Sequence, residues 1–524
     1  MLQKDMKNIC IIIIIYTITH GLMLFNHGLY WDDWPWYKMD TQLRFDAISQ
    51  LGAPWLAYFQ SYLFSFDNML IVRYIVFFSF LLAALFLYII LKTIKEIDPQ
   101  QRLLIVIFFA IFPCNSLRIA MCVSQYAVAY CLFFCGLWIL SRYLKTRKLS
   151  LRILSLLLFF ISFTTNSFLV FYALAILYII YIEKPDIINY KICLKLSYKY
   201  LDFLLNPLVF YIIKIYVFPA HGLYAGYNSI IISRVLTSPI KAINVFYHSV
   251  IRIIDKAINI YISSPTTIIL LTLSILLVYG ILSKRSNSKY ILCKKPLVFG
   301  FFCFYLAAFP YLAVGNPIDW NFLDSRNQLL LPLGISIIIV YGVQWLTNHN
   351  PLINYKSKIK SIIYSVLIIL CISINIATYI SFQKDWYKQV SLIDNIKNNN
   401  IIINNTTFLF KDNLVQLNAF SREYWLYEYT GFFKEAFGDE KRFGSNFEAY
   451  YAGDVVARGE HRHRPLYLLG DYQTEPPQYL INIEEGNFKL STRNMFQLMY
   501  YEMLDSPKYY NTIKDILVLR VQKL

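Results

Sequence analysis

Two adjacent carboxylates near the beginning of the chain are the groups best suited, by type and position, to do chemistry. Asp32 and Asp33 follow an apolar segment closely and are flanked by Trp31, Trp34 and Trp36. A carboxylate beside aromatic rings at a membrane boundary has its charged form disfavoured, so its basicity rises and it suits the role of a general base. The alternative is a solvated turn whose tryptophans form an ordinary interfacial aromatic belt.

Two arginines supply the complementary charge. Arg118 and Arg326 lie at the predicted outer ends of apolar segments, where neither contributes to the usual bias of basic residues toward the inner face. The guanidinium fork matches the oxygens of a phosphate, which makes both residues candidates for binding one. The alternative for each is an interfacial arginine that extends its side chain to the lipid headgroups.

The elements that position these groups are membrane helices. Of the 524 residues 57 % are apolar and only 15 % are charged, whereas an ordinary soluble protein has about a quarter charged. Apolar stretches recur along most of the chain, and their lengths approach the length that a helix needs to cross a bilayer. We predict eleven spans, the first of them a retained helix rather than a cleaved signal peptide, at 9–26, 69–92, 103–113, 122–141, 151–163, 167–182, 201–218, 266–282, 297–314, 328–346 and 361–380.

The net charge of +17 reflects basic loops rather than nucleic-acid binding, because it is concentrated on alternate connections. One alternate set of connections carries 22 lysines and arginines, in segments 4–7, 92–102, 142–152, 184–199, 284–295 and 356–360. The positive-inside rule makes this set cytoplasmic. The N-terminus is then inside, and the outer loops are residues 27–68, 219–265 and 315–327.

The topology depends on how residues 151–182 are folded. A single helix of this length would extend about 48 Å at 1.5 Å per residue. Both flanks are strongly basic, and a single crossing would place one of them outside. We therefore predict a hairpin of two short helices that meet at Thr164-Thr165-Asn166.

The chain divides into a transmembrane domain at residues 1–381 and a water-soluble α/β domain at residues 382–524, placed outside by the helix count. The C-terminal domain is predicted to contain an amphipathic helix at 386–397 and strands at 406–410, 479–483 and 516–520. None of its residues is a cysteine, which excludes a disulfide framework there. His461-Arg462-His463-Arg464 lacks nearby carboxylate or cysteine ligands, so we interpret it as a solvated basic loop and predict no metal site.

Two further segments are predicted to be helices that lie in the outer membrane interface. Residues 54–66 are aromatic and too short to span a bilayer, and residues 242–261 carry apolar side chains at helical spacing. Each segment fits a substrate gate or a plain anchor for its loop.

A first helix that ends in an outer loop with paired acidic residues, an interfacial helix, many further spans and an outer α/β domain together resemble the GT-C superfamily. The resemblance covers the architecture, and at residue level it is carried by Trp31-Asp32-Asp33-Trp34. These membrane glycosyltransferases use polyprenyl-phosphate sugars, and some bacterial members modify O-antigen, lipid A or cell-wall glycans.

The resemblance implies an inverting enzyme of the bacterial cytoplasmic membrane that acts on a lipid-linked sugar and a glycan or lipid acceptor. It implies the base role for Asp32 or Asp33 and phosphate binding by Arg326, with Arg118 as a second candidate. We expect Trp31, Trp34 and His221 to line the substrate site. The residues require no cofactor, and a role for a divalent metal is left open. A lipid-glycan flippase or other transporter remains an alternative, as does an O-antigen-type polymerase or ligase.

Overall fold

The computed structural model describes residues 2–66, 68–184, 190–226, 228–251, 265–283, 294–320, 323–349, 356–454, 457–458 and 476–524. Most of these residues are helical, and a small sheet lies near the C-terminus. The chain divides into two compact units that are each built from separated segments. The first comprises Met1–Gly21, Tyr74–Ile119 and Val123–Ala377, and the second comprises Leu22–Arg73, Ala120–Cys122 and Thr378–Leu524.

The helices up to the middle of the chain follow the predicted apolar segments. In chain order they are α1 (Leu2–His20), α2 (Asp33–Trp36), α3 (Thr41–Ser49), α4 (Pro54–Phe64), α5 (Met69–Leu91), α6 (Pro99–Ile111), α7 (Ser124–Thr146), α8 (Leu149–Ser162), α9 (Ser167–Phe171), α10 (Ala173–Glu183), α11 (Tyr190–Lys199) and α12 (Leu201–Ile212). A π-helical turn, Ile213–Val217, continues α12.

The remaining helices of the apolar region each have 15 residues or more, and the last of them extends into the second unit. They are α13 (Ile232–Phe246), α14 (Pro265–Ser283), α15 (Lys294–Val314), α16 (Leu331–His349) and α17 (Lys356–Lys397). Short 3-10 turns at Ser116–Ile119 and Asp324–Gln328 interrupt the connections that precede α7 and α16.

Several helices are suited to a bilayer by length and composition. Five in the described part of the chain are long and apolar enough to cross it: Asp5–Phe25, Met69–Leu91, Met121–Thr146, Lys294–Val314 and Ser357–Lys397. A pair bent by 61°, Tyr190–Lys199 with Leu201–Val217, passes the same test when taken together. The chain is a multi-pass membrane protein, and the count of eleven crossings stays a prediction.

The hairpin predicted around residue 165 is confirmed. Helix α8 ends at Ser162 and the next helix begins at Ser167. Arg147 Nη2, just before α8, lies 2.7 Å from Glu183 Oε1 at the end of α10. Ends separated by a straight helix would lie about 48 Å apart, so the ion pair requires the chain to fold back.

The second unit contains a four-stranded sheet in the order β2-β1-β3-β4. Strands β1 (Thr407–Asp412), β2 (Phe443–Asn446) and β3 (Tyr479–Glu485) are parallel, and β4 (Leu517–Lys523) is antiparallel to β3. The predicted strands at 406–410, 479–483 and 516–520 are confirmed, whereas β2 was not predicted. Helices pack around the sheet: α18 (Asn400–Ile403), α19 (Leu426–Phe437), α20 (Phe447–Tyr451), α21 (Thr492–Met503) and α22 (Pro507–Ile513).

Two predicted helices differ from the expectations. The helix predicted to begin at Trp386 is the C-terminal part of α17, which has no break between its apolar and amphipathic portions. The predicted helix at 242–261 begins earlier, at Ile232, and its residues 252–261 lie outside the described part of the chain. The segment from His461 to Arg464 also lies outside it.

Candidate functional site

Asp33 is fully buried in the second unit and holds the loop that contains it. Its Oδ1 accepts a hydrogen bond of 2.8 Å from the Cys122 backbone N–H, and its Oδ2 accepts one of 3.1 Å from the Tyr30 backbone N–H. The Met121 backbone N–H donates to the same carboxylate. Three backbone donors therefore surround a side chain that water does not reach.

The guanidinium of Arg73 acts electrostatically on Asp33. Burial raises the pKa of Asp33, while the positive charge of Arg73 and the three backbone N–H groups act against this rise. Arg73 is also fully buried and donates from Nη2 to the Gly28 carbonyl at 2.6 Å, and its guanidinium lies 6.0 Å from the centre of the Tyr30 ring. Burial of one charge without the other would be costly, so the two stabilise each other.

Asp32 is the more accessible of the two carboxylates. Its side chain is half-buried, and it precedes α2 without capping that helix. The residue before it, Trp31, has a φ of 54°, in the left-handed region that a bulky aromatic residue rarely adopts. Such strain is maintained only where surrounding contacts impose it, and it clusters at functional sites.

Contacts within the second unit, with residues of and near α19, hold this conformation. The Trp31 backbone N–H donates to Glu428 Oε1 at 3.3 Å, and Glu428 also accepts two bonds of 2.6 Å from the Arg422 guanidinium. Glu428 is fully buried, and Arg422 is nearly so. The bidentate pair fixes both oxygens of the carboxylate, so Glu428 presents a rigid acceptor to the strained peptide.

Trp34 packs the same loop onto α19. Its ring meets Phe432 edge to face with centroids 4.8 Å apart, and its Nε1–H donates to the Leu29 carbonyl at 3.2 Å. A β-carbon at Gly431 would lie 2.6 Å from Trp34 Cε3, so only glycine allows the indole to approach the helix this closely. Trp34 is therefore a packing residue in the structure, and Trp31 contacts the domain through its backbone.

A buried polar network in α17 supports the other side of the loop. Gln389 donates to the Leu29 carbonyl at 3.0 Å and to Asp385 Oδ1 at 2.9 Å. Asp385 also accepts from the Tyr424 hydroxyl and from the Ala419 backbone N–H. The loop that carries Asp32 and Asp33 is thus fixed to the C-terminal segment of the second unit through side-chain networks as well as packing.

Arg118 belongs to the first unit and is also buried. It donates from Nε to the Asn115 carbonyl at 3.2 Å and from Nη2 to the Cys114 carbonyl at 3.0 Å. Its guanidinium lies 4.6 Å from the centre of the Phe80 ring. No ion pair among the described residues involves Arg118, which borders a small cavity lined by Phe80, Phe109, Ala110, Asn115, Tyr130, Leu329 and Pro332.

The turn that carries Arg326 docks on the turn that carries Arg118. Ser325 Oγ accepts from the Ser116 hydroxyl at 3.0 Å and from the Leu117 backbone N–H at 3.2 Å. Arg326 itself is half-buried, and its charge lowers the pKa of Asp324, although burial raises that pKa overall. The two arginine-bearing turns are neighbours, as a shared phosphate site would require.

The turn that carries Arg326 lies below the end of α15. Gly334, in the first turn of α16, lies against Phe304 in the middle of α15. Helix α15 continues for ten more residues to Val314, which is about 15 Å at 1.5 Å per residue. The described parts of the connection from 315 to 330 must return along this length, and they bring the Asp324–Gln328 turn below the end of α15.

His221 stands apart from these groups. It is exposed, and its Nδ1 lies 3.1 Å from the Pro219 carbonyl oxygen. No contact recorded for the described residues joins it to Arg118 or Arg326. Among all the residues that the structure describes, no group of three or more histidine, cysteine, aspartate or glutamate side chains is placed to hold a metal ion.

The sequence reasoning missed Arg73, Arg422 and Glu428. Arg73 had a usable signal, because it is a charged residue inside the otherwise apolar segment 69–92. A charge in such a segment indicates a functional or structural role, and the Arg73 guanidinium binds the Gly28 carbonyl and acts on the charge of Asp33. Glu428 had no comparable signal, since it is one of many charged residues in the C-terminal domain.

Comparisons with known proteins do not add to this description: no family model, no curated protein and no solved structure matches the chain.

Proposed function

We propose that the chain is a membrane glycosyltransferase of the GT-C type that transfers a sugar from a polyprenyl-phosphate carrier to a cell-envelope glycan or lipid. The observation that carries the proposal is the half-buried carboxylate of Asp32, held between a strained Trp31 and a fully buried Asp33. An ordinary solvated turn does not need this degree of support. Positioning a base to within a fraction of an ångström does need it.

The proposal includes eleven membrane crossings, a cytoplasmic N-terminus and an extracytoplasmic domain at residues 382–524. In the described residues five helices and one bent pair are long and apolar enough to cross a membrane, and the proposal adds the five shorter apolar helices as the remaining crossings. The basic residues of alternate connections favour this orientation in a bacterial cytoplasmic membrane. Outside that membrane nucleotide sugars are absent, so a donor there must be attached to a lipid.

The reaction is one in-line displacement with inversion. The acceptor hydroxyl loses its proton to the base as its oxygen bonds to the anomeric carbon, and the bond from that carbon to the phosphate oxygen breaks. The electron pair leaves on the lipid phosphate, which needs a positive charge more than it needs an acid. Arg326 and Arg118 are proposed to supply that charge, and Asp32 is proposed to act as the base.

Asp33 then has a different role from Asp32. Its oxygens are occupied by backbone N–H groups of Tyr30, Met121 and Cys122, so it holds the loop and does not need to meet the acceptor. Trp31, next to Asp32, is proposed to line the path of the substrate, and the exposed His221 is a second candidate. Trp34 packs the loop against α19, and we assign it no place in that path. The reaction as written requires no metal ion, although it does not exclude one.

The test is sugar transfer by the purified protein in lipid nanodiscs, with a radiolabelled monosaccharide polyprenyl phosphate and an envelope glycan acceptor. We expect transfer by the native chain and by Asp46→Asn, a matched control in which an exposed carboxylate of α3 is removed. Asp32→Asn should reduce transfer by about 100- to 10,000-fold, the usual contribution of a general base. Normal transfer by Asp32→Asn would refute its role as the base. Movement of lipid-linked glycan across the bilayer without transfer would favour a transporter instead.

A further inference from the structure

Helix α13 packs along α15, a helix with the length and composition of a membrane span. The Ile231 backbone N–H donates to the Ala313 carbonyl, and the Arg234 guanidinium donates to the Val314 carbonyl at the end of α15. Further along, the Ser238 hydroxyl lies 2.8 Å from the Tyr305 hydroxyl. The order of these contacts makes the two helices antiparallel.

The contact continues to the other end of α13. The ring of Phe246 lies 5.6 Å from that of Phe301 and 5.3 Å from that of Phe304. From Ile232 to Ile243 the helix advances about 16 Å at 1.5 Å per residue, which is half of a hydrocarbon core of about 30 Å. Because α15 has the length and hydropathy of a span, α13 enters the same layer.

The side chains of α13 form three stripes. Small residues face α15, among them the buried Ser238 and Ala242. A second stripe is apolar and strongly exposed, with Ile232, Leu236, Ile240 and Ile243 each between 72 and 78 % accessible. Beside a membrane span such as α15, lipid chains can cover this stripe, so that its apolar surface is not exposed to water.

The third stripe is polar and exposed, and it consists of Ser233, Thr237, Lys241 and Asn244. Transfer of these groups into hydrocarbon without partners would cost several kcal/mol for the lysine alone. They therefore require water or headgroups at the depth where their neighbours on the second stripe meet lipid.

We propose that α13 is a re-entrant helix that descends from the outer surface along α15, with its apolar stripe against outer-leaflet lipid chains and its polar stripe in a hydrated crevice. The proposal depends on α15 being a membrane span and is independent of sugar transfer.

Spin labels attached to single cysteines, in a variant without the nine native cysteines, test this in bilayers. Collision rates with oxygen and with a water-soluble nickel complex give the depth of each label. Between Ile232→Cys and Ile243→Cys we expect the depth to increase by about 15 Å, which is the advance of the helix reduced by the usual tilt of about 20°. An increase of less than 5 Å would mean that the helix lies in the interface, and would overturn the proposal.

Two controls separate depth from exposure. Val298→Cys on the exposed face of α15 should report hydrocarbon, and Asn244→Cys should meet the nickel complex although it neighbours Ile243. Exclusion of nickel from Asn244→Cys would overturn the hydrated crevice.

Should the cysteine-free chain fail to fold, a photoreactive residue at Ile243 of the otherwise native chain should crosslink to acyl chains as one at Val298 does. Crosslinking at Val298 alone would contradict the proposal.

Discussion

Replacement of Asp33 by asparagine should destabilise the protein, whereas the same change at Asp32 should not. The carboxylate of Asp33 accepts three backbone hydrogen bonds, and an amide can accept at only one of its two positions. Its NH₂ group would face at least one buried N–H donor. A hydrogen bond to a charged group contributes about 1.5 to 3 kcal/mol, and an unsatisfied buried donor costs about 1 to 3 kcal/mol.

Asp33→Asn should therefore lower the free energy of unfolding by about 2 to 5 kcal/mol, because it also removes a negative charge that acts on the buried guanidinium of Arg73. Asp32→Asn keeps the shape of a half-buried side chain and should change stability by less than about 0.5 kcal/mol. Thermal unfolding in detergent measures both, and the donor assay measures transfer by the same preparations.

We therefore expect low stability for Asp33→Asn. For Asp32→Asn we expect low activity with normal stability. A stable but inactive Asp33→Asn variant, together with an active Asp32→Asn variant, would reverse the two roles. Near-normal transfer by both single variants and by the double variant would refute the proposed chemistry as a whole.

Three further outcomes are expected. Arg326→Ala should weaken use of the lipid-phosphate donor more than Arg326→Lys, because the lysine keeps a charge for the phosphate; unchanged donor dependence in Arg326→Ala would remove the assignment. A reporter fused near Asn400 should be active only outside the cytoplasm, and activity inside would contradict the eleven-helix topology. Burial raises the pKa of Glu502 from 4.5 to about 7, so the folded state holds this proton more tightly and should lose stability as pH rises from about 4.5 to about 7. Glu502→Gln should flatten that dependence in unfolding measurements across the same pH range, and an unaltered pH profile would show that another group is responsible.

Local patterns account for the features that were predicted from sequence. Strand β1 has an apolar, β-prone run, Thr407–Phe410, and its burial matches that pattern. The hairpin at 164–166 followed from charge on both flanks. Strand β2 was missed because Phe443-Gly444-Ser445-Asn446 has little strand propensity, and it forms because β1 and α19 cover it.

Features determined by distant contacts could not be predicted. Nothing local marks Glu428 as the acceptor for the Trp31 peptide, since the two residues are 397 positions apart. The continuity of α17 past residue 380 likewise depends on burial of Lys388 and Asp385 among partners from the C-terminal domain. Sequence identified Asp32 and Asp33 as candidates, but their different burial appears only in the folded unit.

The separation between Trp31 and Glu428 also affects how the protein is made. At about 5 to 20 residues per second, the ribosome adds Glu428 about 20 to 80 s after it has added Trp31. During that time the loop from Leu22 to Arg73 has none of its C-terminal partners, so its tryptophans are exposed to the surroundings. Biogenesis therefore includes a stage in which an unassembled loop waits for the last quarter of the chain, and this stage is the one most open to a chaperone or a protease.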